Sequence, residues 1–188
     1  MIRKELKDIS NQTTTALKAL LPEGAPAEYG KQDPPASSSI QQQRADMAQT
    51  HEKLVKTLEA ALGHEEAVKR GREALFSVGL RVGKQVRGRL GVGGNPEDLT
   101  RAAKILYRVL GIEFRLEWID NSHAKATINR CALSQQYSTL ACEVLSATDE
   151  GVITGLQENV KMKFTQYMTS GCKVCKAEIH VNEEETEK

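Results

Sequence analysis

Through the first 110 residues, apolar side chains of this chain recur at three- and four-residue steps. After that they alternate at two-residue steps in four short runs. Residues 3 to 21 read as a first helix, ended by Leu21-Pro22-Glu23-Gly24. Residues 22 to 39, with Asp33-Pro34-Pro35, read as a linker or an arm laid over a surface. Ser37, Ser38 and Ser39 offer N-caps for a helix that carries Leu54, Val55, Leu58 and Leu62 and stops at Gly63. Leu75, Val78, Val82 and Val86 mark a further helix from His64 to about Leu90. Gly71, Gly79, Gly83 and Gly88 weaken that helix, by about 1 kcal/mol each relative to alanine.

Gly91 to Gly94 break the pattern. Asn95 can then cap a helix with Pro96 at its first position and Glu97 and Asp98 in its first turn, where the helix dipole favours negative charge. Leu99, Ala102, Ala103, Leu106, Val109 and Leu110 form its apolar stripe, and Gly111 ends it. Ile112, Phe114, Leu116 and Trp118 alternate with charged residues, which predicts a strand with one wet face. The turn Asp120-Asn121-Ser122 leads into a partner strand over Lys125 to Arg130. A second hairpin pairs Val160, Met162 and Phe164 with Cys175, Ala177, Ile179 and Val181.

Between the hairpins, residues 132 to 156 read as one helix. Leu133, Tyr137, Leu140, Ala141 and Val144 share one face, while Gln135, Ser138, Cys142 and Asp149 line the other. Cys131 joins the second line if the helix reaches back that far. The pattern predicts an α+β protein, a helical N-terminal half followed by a four-stranded antiparallel sheet of two hairpins with covering helices. Its expected units are an N-terminal helix and arm (1–39), a long helical hairpin (40–94), an α+β ligand-binding or hydrolase-like domain (95–182) and a charged tail (183–188).

Composition narrows the function classes. A net charge of +1 gives no global electrostatic attraction to nucleic acid or to a membrane surface, and aromatics at 4% argue against base-stacking strand binders. No apolar run approaches the roughly 20 residues that span a bilayer. The N-terminus lacks the apolar stretch of an export signal, so the expected location is the cytoplasm. Lys69, Arg70, Arg72, Arg81, Lys84, Arg87 and Arg89 make a basic helix face, to be read as a solvated surface or as an anion- or partner-binding patch. The glycine turn before Asn95 has no preceding strand and no following Lys-Ser/Thr, so the nucleotide-loop pattern fails. The long N-terminal helices are the expected contact of a homo-oligomer, with a homodimer the expected form.

All four cysteines fall after residue 130: Cys131, Cys142, Cys172 and Cys175. Without an export signal they are read as thiols or ligands rather than disulfides. Cys172-Lys-Val-Cys175 is a two-ligand hook of the kind that binds zinc or an iron–sulfur cluster, with Cys142, Cys131, His123 or His180 as candidate partners. If residues 131 to 142 are one helix, Cys131 and Cys142 stand roughly 16 Å apart and cannot share one ion. The alternative is that Cys175, on a strand face with Ala177 and Ile179, is simply buried.

Cys131-Ala-Leu, Cys142-Glu143, Asp149, Gly155-Leu156 and Gly171 followed four residues later by Cys175 resemble the L-2-amino-thiazoline-4-carboxylic acid hydrolase family. The end of the chain is also similar to vinyl-reductase-type ligand-binding domains, although Tyr167 stands where those often carry a cysteine and Cys172 is an additional thiol. The resemblance covers roughly residues 95 to 182. It implies a four-stranded sheet and helices enclosing a small-molecule pocket, and C–N hydrolase action on a small cyclic amidine such as 2-amino-thiazoline-4-carboxylate. Cys142, Asp149 and Cys175 are the expected catalytic groups, paired as Cys142 with Asp149 or Cys142 with Cys175. Cys131, Gln135, Tyr137 and Ser138 are the expected ligand contacts, and Cys172, Cys175 and Cys142 the expected metal ligands. The alternative is a non-catalytic module that binds a small molecule or metal in the same pocket.

Overall fold

A computed structural model describes residues 2–23 and 38–182. Five helices and four strands follow in the order α1 (Ile2–Lys18), α2 (Ile40–Leu62), α3 (His64–Arg87), α4 (Pro96–Leu110), β1 (Ile112–Trp118), β2 (His123–Cys131), α5 (Thr139–Leu156), β3 (Val160–Gln166) and β4 (Cys175–Val181). A single 3-10 turn, Met168–Ser170, precedes β4. Of the predicted arm over residues 22–39, positions 24–37 lie outside the described residues, as does the tail at 183–188.

Local chemistry sets the boundaries. Ser39 accepts the Gln42 N–H and caps α2, and Asn95 does the same for Asp98 at the start of α4. Gly111 ends α4 at φ 71°, a left-handed conformation that costs glycine little. The sheet is antiparallel in the order β1-β2-β4-β3, so the two hairpins join along β2 and β4. Ala124, Ala126 and Ile128 of β2 and Cys175, Ala177 and Ile179 of β4 are buried, as alternation predicts. Leu99, Ala102 and Ala103 of α4 and Ile153 and Leu156 of α5 cover that face.

The closest helix pair crosses the boundary expected near residue 95. α3 and α5 meet at Gly71, Gly79 and Gly83 on one side and Gly151 and Gly155 on the other. A Cβ on Gly79 would overlap the Thr148 carbonyl, and one on Gly151 would overlap the Phe76 carbonyl. The glycines that count against a helix by propensity thus let two backbones touch. α1 and α2 bury Leu6, Leu17, Met47, Leu54 and Val55 inside the chain.

Two expectations are corrected. α5 starts at Thr139, not Ala132. Ser138 adopts an extended backbone and caps it, and the Glu52 carboxylate accepts both the N–H and the hydroxyl of Ser138. Residues 132–138 turn through Ser134 N–H to Cys131 O and Gln136 N–H to Leu133 O, which copies helical spacing without a helix. Cys131 therefore ends β2, paired with Ile112, and the helical-rise argument that separated it from Cys142 does not apply. On α3 and just after it, Arg72 turns inward to Glu150, while Lys69, Arg70, Arg81, Lys84, Arg87 and Arg89 are exposed, Arg70 beside Glu66 and Lys84 beside Glu158. Among the described residues no helix is long and apolar enough to cross a membrane.

Candidate functional site

Between α5 and the sheet lies a cavity of about 90 Å³. That is several times the roughly 10–15 Å³ that one water needs. Steps of three and four along α5 bring Cys142, Leu145, Ser146 and Asp149 into one stripe on its wall. Cys131 enters from the end of β2, Cys175 from the start of β4, and Phe164 from β3. α1 contributes Ile9 and Thr13, and α2 contributes Met47 and His51. Among the described residues no lysine or arginine lines it.

Asp149 is the half-buried acid of this cavity. Burial away from water pushes its carboxyl up to about 7, against the Tyr107 hydroxyl that bonds its charged form, while Glu150 adds to the rise. Both protonation states are then populated near neutral pH. Tyr107 comes from α4, its ring edge-on to Phe114 at 5.1 Å, and burial raises its hydroxyl well above the ordinary tyrosine range. The neighbouring Glu150 carboxylate faces elsewhere: it accepts from Arg72 at 2.7 Å and from the Phe164 N–H at 3.3 Å, tying α3, α5 and β3 together.

The three cavity thiols are held as thiols. Burial pushes Cys142 up to about 12 and raises Cys131 and Cys175. Cys175 Sγ accepts the Met168 N–H at 3.2 Å, a contact too weak to reverse the rise. The thiolate is the attacking form, so Cys142 as a nucleophile would need a base to take its proton. Asp149 is the group of that kind in the same cavity.

Of the residues singled out in the sequence, Cys131, Tyr137, Cys142, Asp149 and Cys175 line one cavity. Gln135 is exposed, and Ser138 is spent on capping α5. Cys172 stands apart, half-buried, with its Sγ 3.7 Å from the Ser170 hydroxyl. The trio Cys172, Cys175 and Cys142 is not gathered: among the described residues no three His, Cys, Asp or Glu side chains come together as metal ligands. His123 and His180 meet edge-on at 4.7 Å on the outer sheet face, far from ligand geometry with the cysteines.

Sequence reasoning missed His51, Thr13, Thr148 and Tyr107. His51 is fully enclosed, its Nε2 2.8 Å from Thr13 Oγ1 and its Nδ1 2.9 Å from the Tyr137 hydroxyl. Burial lowers its imidazole to about 4, so it is neutral. A signal existed: His51 stands three and four residues before Leu54 and Val55, on the stripe that predicts burial. Thr148 Oγ1 is a buried hydroxyl with no protein partner on the cavity wall. Two larger depressions flanking α4, of about 600 and 540 Å³, are open and walled by exposed Arg101, Lys104, Arg108 and Arg130. Their walls hold no buried acid, base or thiol, unlike the wall of the smaller cavity.

Comparison with known proteins agrees with this frame. The family model described as L-2-amino-thiazoline-4-carboxylic acid hydrolase matches residues 43–179. The match starts in α2, well before the stretch 95–182 that carried the sequence resemblance, and leaves α1 outside it. No curated protein matches the chain. Among solved structures, a trafficking protein particle complex subunit 3 from Naegleria fowleri, covalently bound to palmitic acid, is similar with a TM-score of 0.55 and 14% identity. The similarity covers 74% of this chain and 95% of that one, and shows a shared fold.

Proposed function

We propose, from the premise that this chain belongs to the L-2-amino-thiazoline-4-carboxylic acid hydrolase family, that the cavity takes a small cyclic amidine and that Asp149 is the acid–base group acting on it. The observation that carries this reading is the Asp149 carboxyl on the wall of a small cavity otherwise lined by apolar side chains, hydroxyls, thiols and the neutral His51. An amidinium offers two parallel N–H donors, which match the two oxygens of a carboxylate.

Asp149 as carboxylate takes a proton from water as the water oxygen bonds to the amidine carbon. The same proton then passes to the ring heteroatom that departs as its bond to that carbon breaks. One water is added, and no bond to the protein is needed. A carboxyl balanced near neutral pH serves both halves of such a cycle. The thiols, protonated, pack around the ring rather than attack it. The test is Asp149→Asn assayed on 2-aminothiazoline and its 4-carboxylate: turnover should fall at least a hundredfold, the low end of general acid–base contributions, with circular dichroism unchanged. Full turnover in the variant would refute the assignment.

A second reading is favoured by a separate observation. Two apolar voids of about 40 and 20 Å³ adjoin the cavity, sharing Ile9 and Leu110 in one case and Ile128 and Phe164 in the other, with Tyr107 bordering both. A non-catalytic holder of an elongated apolar guest would use that continuation, and the Naegleria structure is described as carrying palmitic acid. Intact mass spectrometry of the purified protein, before and after hydroxylamine, tests it. An acyl adduct or a co-purifying lipid would support the holder; a clean apoprotein that turns over amidines would exclude it.

A further inference from the structure

Thr13 lies on α1, outside the matched stretch 43–179, yet its side chain reaches the cavity wall. Its hydroxyl oxygen stands 2.9 Å from the Ile9 carbonyl and 3.1 Å from the Ser10 carbonyl. Carbonyl oxygens only accept, so the single Thr13 proton is committed to one of them. His51 Nε2, 2.8 Å from the same oxygen, must then carry its own proton and donate it. A neutral imidazole with Nε2–H has a bare Nδ1, and the Tyr137 hydroxyl at 2.9 Å is the group that donates to it. The opposite arrangement would point Thr13 oxygen lone pairs at two carbonyls.

We propose that Thr13 and His51 are positioning residues that fix Tyr137 as a hydrogen-bond acceptor toward the cavity, and that the site thereby selects a cationic N–H donor lacking a carboxylate. The hydroxyl proton of Tyr137 is spent on His51, so only its lone pairs remain for a guest. Asp149 is a second acceptor on the wall, since its charged form only accepts. The Thr148 hydroxyl and the thiols can donate but carry no charge. Among the described residues no lysine or arginine lines the wall, so a guest carboxylate meets the Asp149 charge with no cation to balance it. This inference rests on the amidine reading above and departs from the carboxylate-bearing compound of the family's description. It names the ring without its acid, of the 2-aminothiazoline type, as the preferred guest. The neutrality of His51 agrees, since a protonated ring would fill Nδ1 as well.

Two measurements test it on the full chain. First, ¹⁵N spectra of labelled protein at neutral pH, without guest, should show His51 as the Nε2–H tautomer in the wild type and in Thr13→Ser. Thr13→Val, which removes the acceptor, should shift it toward Nδ1–H. A wild-type Nδ1–H tautomer overturns the relay. Second, calorimetry should find 2-aminothiazoline bound at least tenfold more tightly than 2-amino-thiazoline-4-carboxylate or the isosteric 2-methylthiazoline. Tyr137→Phe should weaken the first and leave the last unchanged. Equal or tighter binding of the carboxylate overturns the guest assignment. Failure of all three compounds to bind overturns the amidine reading, and is told apart from failure of the relay because the imidazole spectrum needs no guest.

Discussion

Asp149→Asn turns the cavity carboxyl into a measurement of its own burial. The side chain goes from an ordinary value of 3.8 to about 7 on folding. A raised carboxyl binds its proton more tightly in the folded state, so its contribution is fully present below pH 3.8 and is lost as pH rises toward 7. Three units correspond to about 4 kcal/mol at about 1.4 kcal/mol per unit. Part of Asp149 stays exposed, which trims the figure. His51 works in the opposite sense. Its pKa is lowered from 6.5 to about 4, so its contribution is present above 6.5 and lost as pH falls through that window. Wild-type stability alone would blend the two. The difference between wild type and Asp149→Asn cancels His51 and leaves the carboxyl. Urea unfolding at about pH 4.5, 6 and 8 should show the variant gaining on the wild type by about 3 kcal/mol across the series. That is a midpoint change of about 1.5 M at a slope near 2 kcal/mol per M. A gap between the two proteins that stays constant with pH would refute the placing of this carboxyl in a dry cavity.

Other outcomes follow from the packing. Gly79→Ala should lower stability by about 3 kcal/mol or prevent folding, because its Cβ meets the Thr148 carbonyl. Gly88→Ala, right-handed helical with open space around it, should be neutral or stabilise by up to about 1 kcal/mol; thermal melts of the pair check the contrast. Arg72→Met leaves the Glu150 carboxylate, whose side chain is only 10% exposed, without its guanidinium. Unfolding should become easier by about 3 kcal/mol. In iodoacetamide labelling at neutral pH, half-exposed Cys172 should react first and the cavity trio slowly; peptide mass spectrometry that finds Cys142 labelled first would contradict its protonated state.

Much of this architecture could be read from spacing. Periodicity marked every helix and strand, and the caps Ser39, Asn95 and Gly111 sit where side-chain chemistry wants them. The meeting of Cys142 and Asp149 was visible too, since seven residues make two helical turns. What spacing could not supply was anything joined across distant segments. Leu133 and Tyr137 continue the α5 stripe at a helical interval, and only Glu52 holding Ser138 as a cap shows that the helix stops short. Thr13, His51 and Tyr137 stand 38 and 86 residues apart in turn, so no local pattern could join them. The glycines of α3 carried the opposite of their propensity meaning, because a close approach is decided by the partner helix.

The glycine contact between α3 and α5 also decides which wall of the chamber can yield. Backbone seated on backbone has no rotamers to exchange, so the helix bearing Cys142 and Asp149 is braced from behind like a fixed anvil. The facing wall is different, because Ile9 of α1 and Met47 of α2 meet the cavity through side chains. A molecule arriving would find the α5 wall stationary and would make its room among those side chains.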